Sequence, residues 1–315
     1  MRRFVLRRVA QAAVVLLGVS LVVFLLVQLV PGDPVRVALG TRFDPETYAA
    51  LRERAGFDQP LPQQYLSYVG GALTGDLGVS FRTGQPVSTA LADRLPATLS
   101  LALCGLLVAL CIAVPLGVVS AMRSGSLADH VATVVSQVGV SIPDFWMAIL
   151  LILVLSGGLG LLPPSGYVPL FEDPVGWASH MVLPAVTIGV VSGAILTRFI
   201  RAAVLESLGQ DHVRTARSKG LAEGVVLRRH VLRNALIPII TVTGVQMASL
   251  LGGVIVVEVI FAWPGLGRLT LDAVEARDYP VVQGAVLLVA ALFLLVNLAV
   301  DLLYAAVDPR IRYSR

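Results

Sequence analysis

Charge is what this chain has least of. Only 14% of its 315 residues are Asp, Glu, Lys or Arg, while 56% are hydrophobic. A soluble domain carries about 25% charged residues, so the deficit points to a bilayer in which most of the surface faces hydrocarbon. Cysteine is nearly missing: Cys104 and Cys111 share one apolar run, which excludes a disulfide framework and reads as two small buried thiols. The four histidines, His130, His180, His212 and His230, lack metal-ligand spacing. Lysine is reduced to Lys219, a mark of a GC-rich genome rather than of function. The net charge of +4 does not make a nucleic-acid surface, because the basic residues are divided among the flanks of apolar runs. No glycine-rich loop ends in Lys-Ser or Lys-Thr, which excludes a Walker-type ATP site, and the G-x-S-x-G pattern of hydrolases is missing. With no enzyme constellation left, any work this chain does must draw on a gradient or a partner.

What is present is a series of six apolar runs. The first, Val9 to Val30, follows Arg2, Arg3, Arg7 and Arg8. It is long enough to span and too long, without a small-residue cleavage site, for a signal peptide. Pro31 to Leu95 is one long hydrophilic excursion. Within it Asp44-Pro45 predicts a helix start, with Tyr48, Leu51 and Ala55 on one face and Gly56 as the stop. Pro62 opens a second short helix with Tyr65, Val69 and Leu73 at spacings of four. Val87, Leu91 and Leu95 give a third amphipathic piece closed by Pro96. Such pieces suit the membrane face or a pore mouth.

The remaining runs are Ala97–Met122, His130–Leu155, Met181–Thr197, Leu236–Phe261 and Gly284–Ala306. The sequence thus predicts an all-α polytopic membrane protein with six transmembrane helices. Its segments are 1–30 (N-terminus and first span), 31–96 (extracytoplasmic loop), 97–306 (the membrane domain, with a cytoplasmic loop at 205–235) and 307–315 (tail). With the N-terminus inside, two thirds of the 24 Lys and Arg fall on the cytoplasmic side. Short basic segments decide orientation, so both termini and the 205–235 loop are expected in the cytoplasm.

That loop is the longest strongly polar run between two spans. It carries Arg214, Arg217, Lys219, Arg228, Arg229 and Arg233 against Asp211 and Glu223. Asp211 to Lys219 predicts a short helix, with Asp211 as N-cap and Gly220 as stop. Val213, Ala216 and Gly220 fall close to one face. Glu223 to Asn234 predicts a second helix, the pair forming a rigid handle; a solvated loop that only fixes orientation is the plain alternative.

Inside the spans, Asp144 sits near the middle of the third run, where an acid costs roughly 2.5–3.5 kcal/mol on insertion scales. It is either a polar site on a substrate path or a structural hydrogen bond. Thr243, Gln246, Ser249 and Gly253 form a polar and small stripe that suits either a wet path or close helix packing. Glu258 either lines an outer gate or lies at the headgroups. Pro115, Pro143, Pro184 and Pro238 are kinks that neighbouring helices must compensate.

The order of residues resembles a known family. DHVRTARSKGL at Asp211–Leu221, with Leu236-Ile237-Pro238 closing the segment, is similar to the cytoplasmic loop of permease subunits of binding-protein-dependent ABC importers. That family's pattern starts Glu-Ala-Ala; Thr215-Ala216-Arg217 stands here, as is usual in its peptide branch. PGDP at Pro31–Pro34, GDLGVS at Gly75–Ser80, RLPATLSL at Arg94–Leu101, SIPDFW at Ser141–Trp146, VLPAV at Val182–Val186, EVIFAWPGLGRL at Glu258–Leu269 and DLLYAAVDPRIR at Asp301–Arg312 resemble further landmarks. Together they identify the chain as a member of the dipeptide/oligopeptide/nickel group, B-type subunit.

The resemblance implies the type I importer permease fold (MetI-like) with a long outer loop after helix 1. It implies a second, C-type permease subunit, two ABC ATPase subunits that bind ATP and Mg, an extracytoplasmic substrate-binding protein and lipid as partners, and no nucleic acid. It places the chain in the bacterial plasma (inner) membrane as a non-catalytic subunit with no cofactor of its own. Asp211, Arg214, Thr215, Ala216, Arg217, Lys219, Gly220, Leu221 and Pro238 would couple to an ATPase, the helix lying in a groove that small Ala216 and Gly220 let it approach. Asp144, Thr243, Gln246, Ser249, Gly253 and Glu258 would line the path. Peptide is the implied cargo, with nickel complexes or glutathione as same-family alternatives. A lone gradient-driven carrier would instead show an inverted repeat with paired intramembrane charges, and neither is seen. A structural scaffold is the third reading.

Overall fold

The computed structural model describes residues 2–29, 35–36, 44–54 and 58–307. The predicted landmarks at Pro31–Pro34, Ala55, Gly56 and the basic tail from Asp308 lie outside them. Twelve α-helices of more than one turn organise the described chain, with π-helical stretches at Ile152–Gly158 and Val226–Val231: α1 Arg2–Leu29, α2 Pro45–Arg54, α3 Leu61–Thr74, α4 Val87–Met122, α5 Leu127–Ser141, α6 Asp144–Leu151, α7 Pro174–Leu208, α8 Asp211–Ser218, α9 Leu232–Gly253, α10 Ile255–Ile260, α11 Leu266–Glu275 and α12 Tyr279–Val307. Five stretches are long and apolar enough to cross a membrane, and α5 with α6 and its π-helical continuation, Leu127–Ser141 and Asp144–Gly158, makes a sixth if that bent pair is one span.

The chain divides into two compact units. The first comprises residues 1–98 and 264–294. Here Asp44 starts α2 as predicted, its carboxylate accepting from Thr47 N at 2.9 Å, which holds its pKa below the usual range. The α3 helix turns only part of its predicted apolar face to the protein. Leu73 is 84% exposed, while Gln64 is buried and Tyr65 and Tyr68 pack on Phe24 of α1 at ring separations of 5.4 and 6.3 Å. Gln28 Nε2 donates to Gln64 Oε1 at 3.0 Å, so a polar pair joins the aromatic contacts that hold α3 on α1, while the predicted Leu73 takes no part.

Pro96 does not close a separate piece. Residues Val87 to Met122 form one helix of 36 residues, about 54 Å at 1.5 Å per residue. Its first turns bury Val87 and Leu91 against Leu266, Ala273, Val281 and Ala285. The expected outer loop after Ala262 is likewise structured. Leu266 to Glu275 is helical, its first N–H donating to Thr98 Oγ1 at 2.8 Å. Asp278 accepts from Ser80 Oγ and from Phe81 N, fixing the Gly75–Ser80 turn on the start of α12.

The second unit comprises residues 99–263 and 295–315. Its centre is α7, longer at both ends than the predicted Met181–Thr197 and packed on α5, α6, α9 and α10. A Cβ on Gly189 would stand 2.5 Å from Val108 Cγ1, and one on Gly193 would stand 3.1 Å from Ala109 O. Glycines four residues apart let two helices touch backbone to backbone, the small-residue packing of membrane interiors. Cys111, expected to be buried, is exposed on α4, and Cys104 is only partly buried.

The third run is not one straight helix. It bends by 100° between α5 and α6. Ile142 precedes Pro143 and is extended, with φ −85° and ψ 122°, because a residue before proline is pushed out of the helical region. Asp144 therefore opens α6 instead of sitting in mid-span. The fifth run breaks too, at Val254 between α9 and α10.

Candidate coupling helix and path

The predicted handle forms, with one residue of shift at its start. Gln210, not Asp211, flanks α8 in extended conformation, and Asp211 is the first helical residue. At the other end Gly220 has φ +76°. Gly220 N donates to Arg217 O at 2.9 Å and Leu221 N to Ala216 O at 3.4 Å, the paired bonds of a Schellman stop. The predicted second helix, Glu223–Asn234, is helical throughout and does not end there. A single turn at Glu223–Val225 and a π-helical stretch at Val226–Val231 lead directly into α9, so the second half of the handle and the next span are one continuous run.

The two faces of α8 are distinct. Val213 and Ala216 are buried in a cluster with Ile200, Ala203, Val204, Val226 and Val231. Ala216 is thus spent on the chain's own core and is not on the surface offered to a neighbour, contrary to the sequence expectation. An eight-residue helix needs some apolar seat, and this segment has few other residues to supply one. The outward face is Arg214, Thr215, Arg217, Ser218 and Lys219, continued by Leu221. Arg217 is held in place by Glu223, with nitrogen–oxygen distances of 2.9 and 3.2 Å. His212 Nε2 pairs with Asn234 Nδ2 at 2.8 Å, and Ser207 Oγ donates to Val231 O at 3.1 Å. Pro238 lies one turn beyond Asn234 in α9 and is exposed, away from the basic surface itself.

The proposed path residues do not form one stripe. Gln246 Nε2 donates to Ser192 Oγ of α7 at 2.9 Å, and Thr243 Oγ1 is buried. Ser249 belongs instead to an exposed line along α9, with Asn234, Pro238, Thr241, Val245 and Gly252. Gly253 ends that helix. Glu258 is 1% exposed in α10 and opens on no surface of this subunit. Asp144 is half-buried, and its Oδ1, like Thr243 Oγ1, is buried with no hydrogen-bond partner among the described residues. Both atoms suit a polar visitor, since a buried polar group without a partner is the exception in proteins.

Residues 113–313 match the model of the family described as binding-protein-dependent transport system inner membrane component, and residues 1–102 match that of its N-terminal part. The chain belongs to this family. The dipeptide transport system permease protein DppB of Escherichia coli (strain K12) is 42% identical over 339 residues, covering all of both chains. The di/tripeptide transport system permease protein DppB of Pseudomonas aeruginosa (strain UCBPP-PA14) is 43% identical over 336 residues, again covering both in full. Among solved structures, an inward-facing methionine ABC transporter superposes with TM-score 0.54 at 18% identity, covering 69% of this chain and 96% of that one. An amino acid ABC transporter does so at 0.51 and 18% identity, covering 71% and 94%. These two share the fold.

One feature of this inner membrane component escaped the sequence reading. Arg201 of α7 donates from Nε and Nη2 to both carboxylate oxygens of Asp129, at 2.7 and 2.8 Å, and also meets Ser120 Oγ at 3.0 Å. Gly125 N adds a further bond to Asp129 at 2.9 Å. Neither Asp129 nor Arg201 belongs to any pattern that the sequence singles out. The bidentate fork instead ties the α4–α5 turn to the helix that carries α8. A carboxylate three residues after Ser126, at a helix start, reads as ordinary capping, and 72 residues of separation hide its partner.

Proposed function

We propose that this chain is the B-type permease subunit of an ATP-driven importer of short peptides, and that it forms half of the translocation path. Full-length similarity to dipeptide and di/tripeptide permeases carries this reading. The basic outward face of α8 supports it, because a helix seated on an apolar floor can present charge to a groove on a second protein. Two ATPase subunits bind ATP and Mg, a C-type permease supplies the other half of the path, and an extracytoplasmic binding protein delivers cargo. The chain itself holds no cofactor and catalyses nothing. It lies in the bacterial inner membrane with both termini in the cytoplasm, so that Arg214, Arg217, Lys219 and Gly220 meet an ATPase.

On this reading ATP closes the ATPase pair and α8 moves with it. Val213 and Ala216 carry the displacement into α7 and the π-helical stretch, and α9 turns its exposed line toward or away from the path. Asp144 and Thr243 then offer their partnerless oxygens to passing cargo. ATP-dependent uptake of labelled dialanine into vesicles holding all five components tests the assignment. Uptake by this chain alone, without nucleotide, would refute it. Uptake of a nickel complex or glutathione but not of dialanine would move the cargo elsewhere in the family.

A further inference from the structure

The first unit holds a cavity that the coupling scheme does not use. It measures about 430 Å³, within the ~300–1,000 Å³ range of small-ligand sites. Its walls come from the C-terminal end of α1, from α3, from the Asp76–Phe81 turn and from the first turn of α12. The Tyr68 hydroxyl, of a residue in that lining, is buried without a partner among the described residues. Burial raises its pKa to about 12, so the phenol remains a hydrogen-bond donor in search of an acceptor. Gln28 and Gln283 bring side-chain amides, each both donor and acceptor. Asp76 uses Oδ1 to accept from Gly78 N at 2.9 Å, and a carboxylate has capacity for further donors. Phe24 supplies an apolar wall.

Among the described residues the lining contains one carboxylate and neither lysine nor arginine. A phosphate or a free carboxylate placed against Asp76 would meet a like charge with no basic side chain among the described lining residues to offset it. That weighs against an anionic phospholipid headgroup. The set suits a ligand with an ammonium for Asp76, a carbonyl for Tyr68 and amides for the glutamines. We infer that this cavity binds the amino-terminal end of a short peptide, its ammonium on Asp76 and a carbonyl accepting from Tyr68. The inference rests on the peptide-importer reading and adds a cargo site outside the second unit.

Calorimetric titration of dialanine into the full chain in lipid nanodiscs, with no binding protein present, tests it. Saturable binding is expected, about tenfold weaker in Tyr68→Phe and in Asp76→Asn. N-acetyl-dialanine should bind the unaltered chain about tenfold less well, and Asp76→Asn should add no further loss to it. Tyr68→Phe should also raise the melting temperature of the empty chain, because it removes a buried hydroxyl without a partner; a tyrosine with a purely structural role would lower it. No saturable binding to the unaltered chain, equal affinity for the acetylated and free peptides, or a copurified phospholipid lost on Tyr68→Phe would each overturn the inference. Uptake by the complete complex separates the two claims. Uptake without binding to the lone chain removes the cavity site and leaves the permease reading standing.

Discussion

Gly220 shows how one residue can serve a partner without touching it. A Cβ there meets nothing within 4 Å, but its φ of +76° is strained for any side chain, by roughly 1–2 kcal/mol. Gly220→Val should therefore insert normally, lower the melting temperature and suppress ATP-driven uptake by loosening the end of α8. Gly224, also in open space but without positive φ, is the control, and Gly224→Ala should leave uptake unchanged. Tyr68 gives a second prediction. Its folded pKa of about 12 lies above the usual 10.0, so the folded state favours the neutral phenol. The associated stability is complete below pH 10 and is lost as pH rises toward 12. Melting temperatures across that window should fall more steeply for the unaltered chain than for Tyr68→Phe.

At the scale of elements, α8 divides its labour by face. Reversing Arg214 and Lys219 to Glu should abolish binding of the ATPase in pull-down while leaving this subunit's melting temperature unchanged, since both project outward. Val213→Asp should do the opposite, unfolding the handle by placing a charge in an apolar floor. The Asp129–Arg201 fork makes a ranked prediction: Asp129→Asn should lower the melting temperature more than Ser120→Ala does, because it leaves the guanidinium unpaired. The handle itself was legible because an apolar pair three residues apart and a stopping glycine are local signals, while the predicted cap at Asp211 falls one residue inside the helix. What was not legible is which partner each face takes. Ala216 looked small enough for a foreign groove, yet it fills the chain's own core. Leu73 looked like a packing residue, yet Gln64 does the packing through Gln28. The bend at Ile142-Pro143 was marked by its proline, but the 100° angle depends on packing with α7 and α10, which no local pattern encodes.

For the whole molecule, six apolar runs and their basic flanks were enough to read the membrane class, because hydrocarbon imposes one rule on every exposed surface. Their true ends were not readable: α4 and α7 extend well past the ~30 Å hydrocarbon core. Orientation is open to a direct test. Phe171, 97% exposed between α6 and α7, should react as Phe171→Cys with an impermeant maleimide in intact cells. Arg214→Cys should react only after the membrane is opened. The reverse pattern would place α8 away from any ATPase.

The π-helical stretch at Val226–Val231 sets the angular phase between α8 and α9. Such a stretch corresponds to an ordinary α-helix with one residue too many. A π turn spreads that extra residue over nearly the same rotation, so removing one residue there lets the run relax to α geometry with what precedes it close to its present phase. Removing one from the regular helix of α9 would instead swing everything before it by about 100° around the axis, taking Val213 off its seat and aiming Arg214 elsewhere. The stretch therefore works as an expansion joint, the place in this run where a change of residue count disturbs the aim of the basic face least.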